Sequence, residues 1–373
     1  MRVKRLLGWT ALAIPLVLFV GVFIAYWMSD NVCSAPSATS RNPVKAIVFC
    51  QYGSADVLAL EDIEKPVPGS DEILVRVHAA GVNPADWHFM RGKPYIIRLI
   101  SGLRVPRDIR LGLDFAGTVE AVGRNVTRLQ PGDAVFGDSS GAFGEYLTVH
   151  KDGPIVEIPA GVTFEQAASA PIAGLTALQA LRDAGGVQAG DRVLINGASG
   201  GVGTFAVQIA KHYGAHVTGV CSTRNLEMVR AIGADAVIDY TQENFTEGEQ
   251  RYDLILDMVG NHSLSDLRQV MEPDGTTVMV GDSDIGLWID PLVGPVKGMI
   301  YSAFVSQEFA PFLTSPNQAD LALLGELMAA GTVTPVIDRR YALSEVPDAI
   351  RYMEKGHARG KVVITGLSSG PNL

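Results

Sequence analysis

A glycine-rich turn between an apolar run and a helical pattern constrains the fold of this chain more than any other feature. Residues 192–196 read RVLIN, and residues 202–213 carry apolar side chains at helical spacing. Glycine permits positive φ and close backbone approach, so that main-chain N–H groups and a helix N-terminus can bind a pyrophosphate. Because Ala198 replaces a glycine of the strict G-x-G-x-x-G pattern, spacing alone also allows a purely structural turn. The glycines of the turn are Gly197, Gly200, Gly201 and Gly203.

The turn lies in a part of the chain where strand patterns alternate with helix patterns. Such alternation predicts a parallel, doubly wound α/β sheet, and within a βαβ unit the glycine turn favours a bound dinucleotide. We predict strands at 192–196, 216–221, 236–240, 253–258, 276–281 and 300–306, and helices at 202–213, 224–232, 264–271 and 320–330.

The segment before this alternation has a different rhythm. Between residues 45 and 159, short β-type runs are broken by Gly, Pro and Asp, which predicts a mostly antiparallel β domain with tight turns. Two further strands, at 334–341 and 361–365, flank a helix at 343–355 and are expected to return to this first domain. The predicted organisation is a membrane anchor and tether at 1–43, a β domain at 44–165 completed by 315–373, and a Rossmann domain at 166–314.

The end of the second predicted strand indicates which dinucleotide binds. An acidic side chain there would accept a hydrogen bond from the ribose 2′-OH of NAD, whereas a basic one would pair with a 2′-phosphate. The sequence at this point reads Cys221-Ser222-Thr223-Arg224, without Asp or Glu. Guanidinium and hydroxyl donors suit a phosphate, so NADP(H) is the expected cofactor. The structural alternative is that Arg224 is a solvated residue at the start of the next helix.

Charge and cysteine content exclude several other classes of protein. The chain has a net charge of -10, which makes it a poor partner for nucleic acid. Its three cysteines, Cys33, Cys50 and Cys221, form no C-x-x-C pair and therefore no structural zinc site.

The N-terminus predicts a single-pass membrane anchor. Residues 6–28 carry no charge over 23 positions, which as a helix is enough to cross a bilayer core of about 30 Å. A cleaved signal peptide would have a shorter apolar region, and the polar stretch 34–43 reads as a tether. Basic residues before the apolar run favour an N-terminus in the cytoplasm, which would place the catalytic body across the membrane from the NADPH pool. We nevertheless expect the catalytic body on the cytoplasmic side. An alternative is that translation starts at Val44.

Several ordered motifs give the chain a family resemblance. It resembles the medium-chain dehydrogenase/reductase superfamily, and within it the zinc-free quinone oxidoreductase branch, from about residue 44 to residue 366. This resemblance implies a GroES-like catalytic domain beside the Rossmann domain. The motifs are GVNPAD at 81–86, GLDFAG at 112–117, QPGD at 130–133, GAFGEY at 141–146, GLTA at 174–177, NGASGGVG at 196–203 and GKVV at 360–363.

The resemblance also implies that no zinc takes part in the reaction. Where zinc alcohol dehydrogenases have a cysteine ligand this chain has Asn83, and where they have His-Glu it has Leu113 and Asp114. Leucine cannot bind a metal, amide oxygen is a poor substitute for thiolate, and no cysteine lies near residues 171–176. Without a Lewis acid, we expect hydride delivery to an acceptor that conjugation already makes electrophilic, a quinone or an α,β-unsaturated carbonyl.

By the same resemblance, particular residues are expected at the site. Asn83 is the candidate hydrogen-bond donor to the acceptor, Asp86 is its neighbour, and Tyr95 is a candidate proton source. Their structural alternatives are a turn residue, a helix N-cap and a packing aromatic, and Tyr240 and Lys361 could likewise be a packing residue and a strand-edge charge. The expected cofactor-binding residues are Thr176, Gly197, Ser199, Gly200, Gly201, Val202, Gly203, Ser222, Thr223, Arg224, Tyr240 and Lys361.

Two functional classes follow. The first is an NADPH-dependent reductase of quinones or enones, with a zinc-independent alcohol or aldehyde reductase as a variant. The second is a non-catalytic, NADPH-binding membrane-associated protein. The resemblance further implies a homodimer, joined near the last Rossmann strand at about 300–306. The segments expected to line the substrate pocket, 95–107 and 282–297, contain nothing that identifies the substrate.

Overall fold

The computed structural model of the protein describes residues 42–281 and 290–367 of the 373-residue chain. Its strands, in chain order, are β1 Pro43–Val48, β2 Ala59–Glu64, β3 Glu72–Val82, β4 Asp114–Val122, β5 Ala134–Asp138, β6 Tyr146–His150, β7 Ile155–Glu157, β8 Arg192–Asn196, β9 His216–Cys221, β10 Ala236–Asp239, β11 Tyr252–Asp257, β12 Met271–Met279, β13 Glu308–Pro311, β14 Ile337–Ala342 and β15 Lys361–Thr365.

The helices alternate with these strands mainly in the middle of the chain. They are α1 Pro84–Arg91, α2 Arg98–Ser101, α3 Phe164–Ser169, α4 Pro171–Gln179, α5 Gly201–His212, α6 Leu226–Ala231, α7 Leu264–Gln269, α8 Asp290–Ser302, α9 Gln318–Ala329 and α10 Val346–Met353. A π-helical turn at Ala180–Ala184 extends α4, and 3₁₀ turns lie at Ala55–Val57, Tyr95–Ile97, Thr223–Asn225, Phe245–Glu247 and Leu343–Glu345.

The middle of the chain forms a parallel, doubly wound sheet, as predicted. Its strand order is β10-β9-β8-β11-β12-β13, and every pairing in it is parallel. The order reverses beside β8, where the next strand along the chain, β9, lies on one side and β11 on the other. Ligands of open α/β sheets bind at such a switch point, beyond the carboxyl ends of the strands.

The second sheet is mostly antiparallel and combines the two ends of the described chain. Its order is β14-β15-β3-β4-β5-β7, with β6 also paired to β3. The antiparallel pairing of β15 with β3 places the C-terminal strand in the same sheet as strands from the first part of the chain. The register places Val362 opposite Val82, so the residues at the start of β15 lie beside the end of β3.

Two apolar cores support these sheets. One includes Leu175, Phe205 and Leu324 and packs α4, α5 and α9 together. The other fills the antiparallel domain and includes Phe115 and Ile364. Since α4 and α5 also carry residues of the expected cofactor site, this packing fixes the backbone on which the site is built.

The predicted strand at 300–306 is wrong. Helix α8 continues to Ser302, and the last strand of the parallel sheet lies at Glu308–Pro311. The apolar run IYSAFV fits either structure by composition, because a short apolar run does not distinguish a strand from a buried helix. Close packing favours the helix, since a Cβ atom on Gly298 would lie 3.3 Å from the Cβ of Phe309. The hydroxyl of Ser302 also accepts the Phe309 N–H at 2.8 Å.

The predicted membrane anchor at 6–28 lies outside the described residues. Between residues 42 and 281 and between 290 and 367, no helix is long and apolar enough to span a bilayer.

Candidate functional site

The glycine turn joins the end of β8 to the N-terminus of α5. Gly197 has a φ of +90°, and a Cβ atom on Gly203 would lie 2.2 Å from the Gly197 carbonyl oxygen, so both positions require glycine. Thr204 donates its N–H to Gly200, and no side chain caps the helix. The N–H groups of residues 201–203 therefore have no acceptor within the helix. With the positive end of the helix dipole, they suit a bound anion.

This turn contacts the beginning of β15. The Gly360 N–H donates to the Ser199 carbonyl at 2.9 Å, and Gly200 and Gly360 form a bridge. A Cβ atom on Gly201 would lie 3.3 Å from the Cδ of Lys361, so the lysine side chain runs past the turn. The contact brings the anion-binding end of α5 next to the antiparallel domain.

Lys361 leads from the turn into a buried polar cluster. Its side chain is 2% exposed, and its ammonium donates to Asn83 Oδ1 at 2.5 Å and to Asp114 Oδ2 at 3.2 Å. The other oxygen of Asp114 accepts the Ile172 N–H at 3.0 Å. Burial raises the pKa of Asp114, while the charge of Lys361 and the amide of Asn83 partly oppose that rise. Lys361 is thus a buried, paired cation, and the alternative of an ordinary strand-edge charge is wrong.

Asn83 and Asp86 lie at the start of α1. Asp86 Oδ2 accepts the backbone N–H of Asn83 at 2.7 Å, so Asp86 is not the N-cap itself but caps the helix from its third position, with Asn83 as the N-cap residue. Asp86 is fully buried, and this burial raises its pKa to about 8. Although the Asn83 amide lies near Asp114, its Nδ2 atom is buried without a hydrogen-bond partner of good geometry. An unmet buried donor costs about 1–3 kcal/mol, so this nitrogen is available to a ligand.

A third carboxyl group adjoins the cluster. Asp138 ends β5 directly opposite Asp114 in the sheet register. Burial, together with the charge of Asp114, raises the pKa of Asp138 to about 7. With Asp86, the cluster therefore holds two carboxyl groups that carry protons near neutral pH.

Beyond the end of β9 lie the residues expected around the adenosine 2′-phosphate. Arg224 is exposed and donates to the His357 carbonyl at 2.7 Å, which ties this loop to the chain before β15. Tyr240 is 55% exposed, and its N–H bonds to the Cys221 carbonyl, so it flanks the same strand end. Ser222 directly follows β9 and accepts a hydrogen bond from the Asn225 amide, so all three residues belong to the loops at this end of the sheet.

Thr223 has a different role in this loop. Its hydroxyl donates to Asp239 Oδ2 at 2.6 Å, and Asp239 also accepts from the backbone and hydroxyl of Thr241. These hydrogen bonds, the one from Thr223 first, lower the pKa of Asp239. Because its proton is directed to this carboxylate, Thr223 braces the loop instead of offering a free donor.

Asn225 was not identified from the sequence. It is buried, and its amide donates to the hydroxyls of Ser199 at 3.0 Å and Ser222 at 3.2 Å. The amide therefore links the glycine turn to the loop that follows β9. No motif marks it, since a polar residue after a strand most often only starts the next helix.

Thr176 lies on α4, where it is 6% exposed. Its hydroxyl is hydrogen-bonded to that of Thr314 at 2.6 Å, which places it beside the chain that follows β13. Tyr95, in contrast, lies on its own 3₁₀ turn, where the Arg98 guanidinium is 4.9 Å from the ring centre. The described contacts unite Asn83, Asp86 and Lys361, but they place Tyr95 on a separate segment.

The residues at the positions of the zinc ligands do not suit a metal. Asn83 and Asp114 face Lys361, a cation that would repel a metal ion, and Leu113 has no donor atom. In the described parts of the chain, no three His, Cys, Asp or Glu side chains are grouped to hold a metal ion.

Comparisons with known proteins agree with this architecture. A family model described as an alcohol dehydrogenase GroES-like domain matches residues 69–160, and one described as a zinc-binding dehydrogenase matches residues 232–364. The solved structure of the quinone oxidoreductase from Coxiella burnetii is similar to the chain, with a TM-score of 0.76 and 31% identity. That match covers 87% of this chain and 99% of the other.

Curated relatives extend over most of the chain. "NAD(P)H oxidoreductase RTN4IP1, mitochondrial" from Mus musculus is 35% identical over 355 residues, which cover 86% of this chain and 88% of that protein. "NADPH-dependent alkenal/one oxidoreductase, chloroplastic" from Arabidopsis thaliana is 33% identical over 342 residues, which cover 88% of this chain and 81% of that protein.

Proposed function

This chain belongs to the zinc-free, quinone oxidoreductase-like branch of the medium-chain dehydrogenase/reductase superfamily, and we propose that it uses NADPH to reduce a quinone or an α,β-unsaturated carbonyl. The proposal rests above all on one observation. The uncapped, glycine-lined N-terminus of α5 touches Lys361, whose ammonium bonds to Asn83 and Asp114. An anion-binding turn and a polar cluster without metal ligands therefore lie side by side.

The coenzyme site fits NADPH. The N–H groups at the start of α5 suit the pyrophosphate, and Gly203 keeps the turn free of side-chain atoms there. Ser222, Arg224 and Tyr240 would contact the 2′-phosphate, and Thr176 the nicotinamide end. The names of two relatives include NAD(P)H or NADPH, which supports the same coenzyme. When bound, NADPH supplies the hydride.

The acceptor would be oriented by Asn83. Lys361 holds the amide oxygen, which fixes the amide plane and leaves Nδ2 as the donor. A donor of this kind stabilises negative charge on the carbonyl oxygen of a conjugated acceptor as that charge develops. A saturated aldehyde would need stronger polarisation of its carbonyl group, which residues Asn83, Leu113 and Asp114 cannot provide through a metal.

A proton must also reach the reduced product. We assign this role to Tyr95 or to solvent. Asp86 would act by holding Asn83 through the backbone N–H, and its raised pKa keeps the buried carboxyl group protonated at neutral pH. Asp86 is then a positioning residue.

The organisation of the whole chain is part of the proposal. We assign residues 44–165 and 315–373 to the catalytic domain, 166–314 to the coenzyme domain and 1–43 to a membrane anchor and tether. We also propose a homodimer, with its contact moved from 300–306 to the edge strand β13, because the earlier segment is mostly helical. Size-exclusion chromatography with light scattering tests this assembly.

The reaction is tested with the full chain and a panel of acceptors. The panel contains a quinone, an enone, an enal and a saturated aldehyde, each with NADPH and with NADH. We expect turnover with a conjugated acceptor, a higher kcat/KM with NADPH, and no turnover of the saturated aldehyde. Coenzyme binding without turnover of any acceptor would instead support the non-catalytic function, and reduction of the saturated aldehyde would support an aldehyde reductase.

A pair of variants tests the role of Asn83. Asn83→Ala should lower kcat by about 10–1000-fold while leaving the coenzyme Kd within a few-fold, because one oxyanion donor is lost. Asn125→Ala, at an exposed position, is the matched control and should be unchanged. Equal kcat for both variants would refute the assigned role.

A further inference from the structure

Residues 95–107 form an unusual surface on the antiparallel domain. Their sequence, YIIRLISGLRVPR, contains seven large apolar or aromatic side chains, three arginines and no acidic residue. None of the seven is among the buried core residues of the described chain, and none packs against its apolar clusters. Five of the seven are half-buried, and the two that are exposed, Leu99 and Ile100, present apolar surface to a partner.

The exposed side chains combine apolar and cationic character. Leu99 is 55% and Ile100 is 69% exposed, and Arg104 and Arg107 are exposed beside them. Residues 91–110 contain six basic residues and one acidic residue, a net charge of +5 in a chain whose overall charge is -10. We propose that residues 95–107 dock on an anionic lipid bilayer. Apolar side chains would enter the headgroup boundary and the arginines would contact lipid phosphates and carboxylates.

The base of this segment is held firmly by the domain. The Tyr52 hydroxyl donates to the Gly102 carbonyl at 2.6 Å and lies 2.8 Å from the Ser101 hydroxyl. The Arg98 guanidinium stacks on the Tyr52 ring at 4.4 Å. Arg98 also donates to the Gly92 carbonyl. The turn at residues 95–102 is therefore presented as a fixed projection, which reduces the entropy lost on binding.

The chain before the described residues can reach the same bilayer. Strand β1 runs from Pro43 to Val48, four residues before Tyr52, and six strand residues span about 20 Å. The 13 residues at 29–41 span at most about 45 Å when extended. An apolar run at 6–28 inserted in a bilayer would therefore keep residues 95–107 within reach of its surface.

Charge argues against a second copy of this chain as the partner. A two-fold contact around these residues would place two positive segments against each other. Like charges in contact are unfavourable, whereas an anionic bilayer is complementary. This inference rests on Leu99, Ile100, Arg104 and Arg107 and not on Tyr95, so it does not depend on the reaction that the site performs.

Hydrogen exchange on the full chain tests the docking surface. Exchange is measured without vesicles, with phosphatidylcholine vesicles and with vesicles that also contain phosphatidylserine. We expect residues 95–107 to exchange roughly ten-fold more slowly with phosphatidylserine vesicles than with phosphatidylcholine vesicles, and high salt should weaken this protection. Because any insertion of residues 6–28 is common to all variants, the local protection is the informative signal.

Variants separate the apolar and charged contributions. Leu99→Ser/Ile100→Ser should lose protection with both vesicle types, and Arg104→Glu/Arg107→Glu should lose only the preference for phosphatidylserine. The matched control is Val67→Ser, which removes an 84% exposed apolar side chain from another loop and should change nothing. All variants should melt within a few degrees of the unaltered protein.

Three results would overturn the proposal. One is exchange at residues 95–107 that vesicles leave unchanged, and another is equal protection by neutral and anionic vesicles. The third is protection that appears without vesicles, either as protein concentration rises, which indicates self-association, or on addition of coenzyme and acceptor, which indicates a lid over the site.

Discussion

Removal of the Lys361 ammonium should destabilise the protein in a pH-dependent way. In Lys361→Met the cation 3.2 Å from Asp114 is lost, and the carboxylate is left in a site where the two side chains are 2% and 0% exposed. Breaking a buried ion pair on one side costs about 3–5 kcal/mol, so the free energy of unfolding should fall by this amount at pH 8. Because the Ile172 N–H still donates to Asp114 in this variant, we expect a loss of stability at the lower end of this range.

The pH dependence follows from Asp114. Burial already raises its pKa, and loss of Lys361 removes a cation that opposes the rise. A carboxyl group whose folded pKa exceeds its unfolded value destabilises the fold increasingly as pH rises between the two values. The loss in Lys361→Met should therefore be smaller at pH 5.5 than at pH 8, and Lys361→Met/Asp114→Asn should recover most of it at pH 8.

The assay is urea unfolding of the full chain at both pH values, followed by tryptophan fluorescence. Lys65→Met is the matched control, since Lys65 pairs with Glu120 where the side chains are 19% and 35% exposed. A surface pair contributes about 0–1 kcal/mol. The reasoning fails if Lys361→Met costs no more than Lys65→Met, or if its cost is the same at both pH values.

Three further predictions concern the coenzyme turn and the buried carboxyl group. Gly203→Ala should lower the free energy of unfolding by roughly 1–3 kcal/mol and weaken coenzyme binding, because its Cβ would lie 2.2 Å from a carbonyl oxygen. At Gly200 the nearest atom would be 3.4 Å away, so Gly200→Ala should fold normally in thermal melts. In steady-state kinetics, Arg224→Ala should raise the KM for NADPH about 10–100-fold and leave the KM for NADH nearly unchanged. Equal effects on both KM values would contradict the assigned contact with the 2′-phosphate. Asp86 has a raised pKa of about 8, so its ionisation destabilises the fold as pH rises from about 4 to 8. Asp86→Asn should therefore match the unaltered protein near pH 4 and exceed it in stability by more than about 1 kcal/mol at pH 9, and a constant difference across that range would refute this reasoning.

Much of the parallel sheet could be predicted because most of its strands are largely apolar runs bounded by glycine, charged residues or turns. The predicted strands at 192–196 and 216–221 coincide with β8 and β9 of this sheet, and the predicted strand at 361–365 coincides with β15 of the antiparallel sheet. The strand at 300–306 could not be distinguished from a helix, because the deciding contact, between Gly298 and Phe309, exists only after the sheet has formed.

The site was less accessible to sequence reasoning. The glycine turn follows from local backbone requirements, and the motifs pointed to Asn83 and Lys361 separately. Their contact depends on β15 pairing with β3, between residues that are 278 positions apart. The same holds for Asn225, whose partner Ser199 lies across the loop. A charged residue at the start of a strand is usually solvated, so only tertiary structure shows that Lys361 is buried.

Direct hydride transfer to a conjugated acceptor without a metal is the central step of the proposed function. The decisive measurement uses NADPH deuterated at the transferred position of its nicotinamide ring and an enone acceptor, with the full chain freed of metal by a chelator. We predict deuterium on the β-carbon of the product, with turnover equal to that of untreated protein. Turnover that stops on chelation and returns with zinc, or a product without deuterium from either face of the ring, would contradict the account.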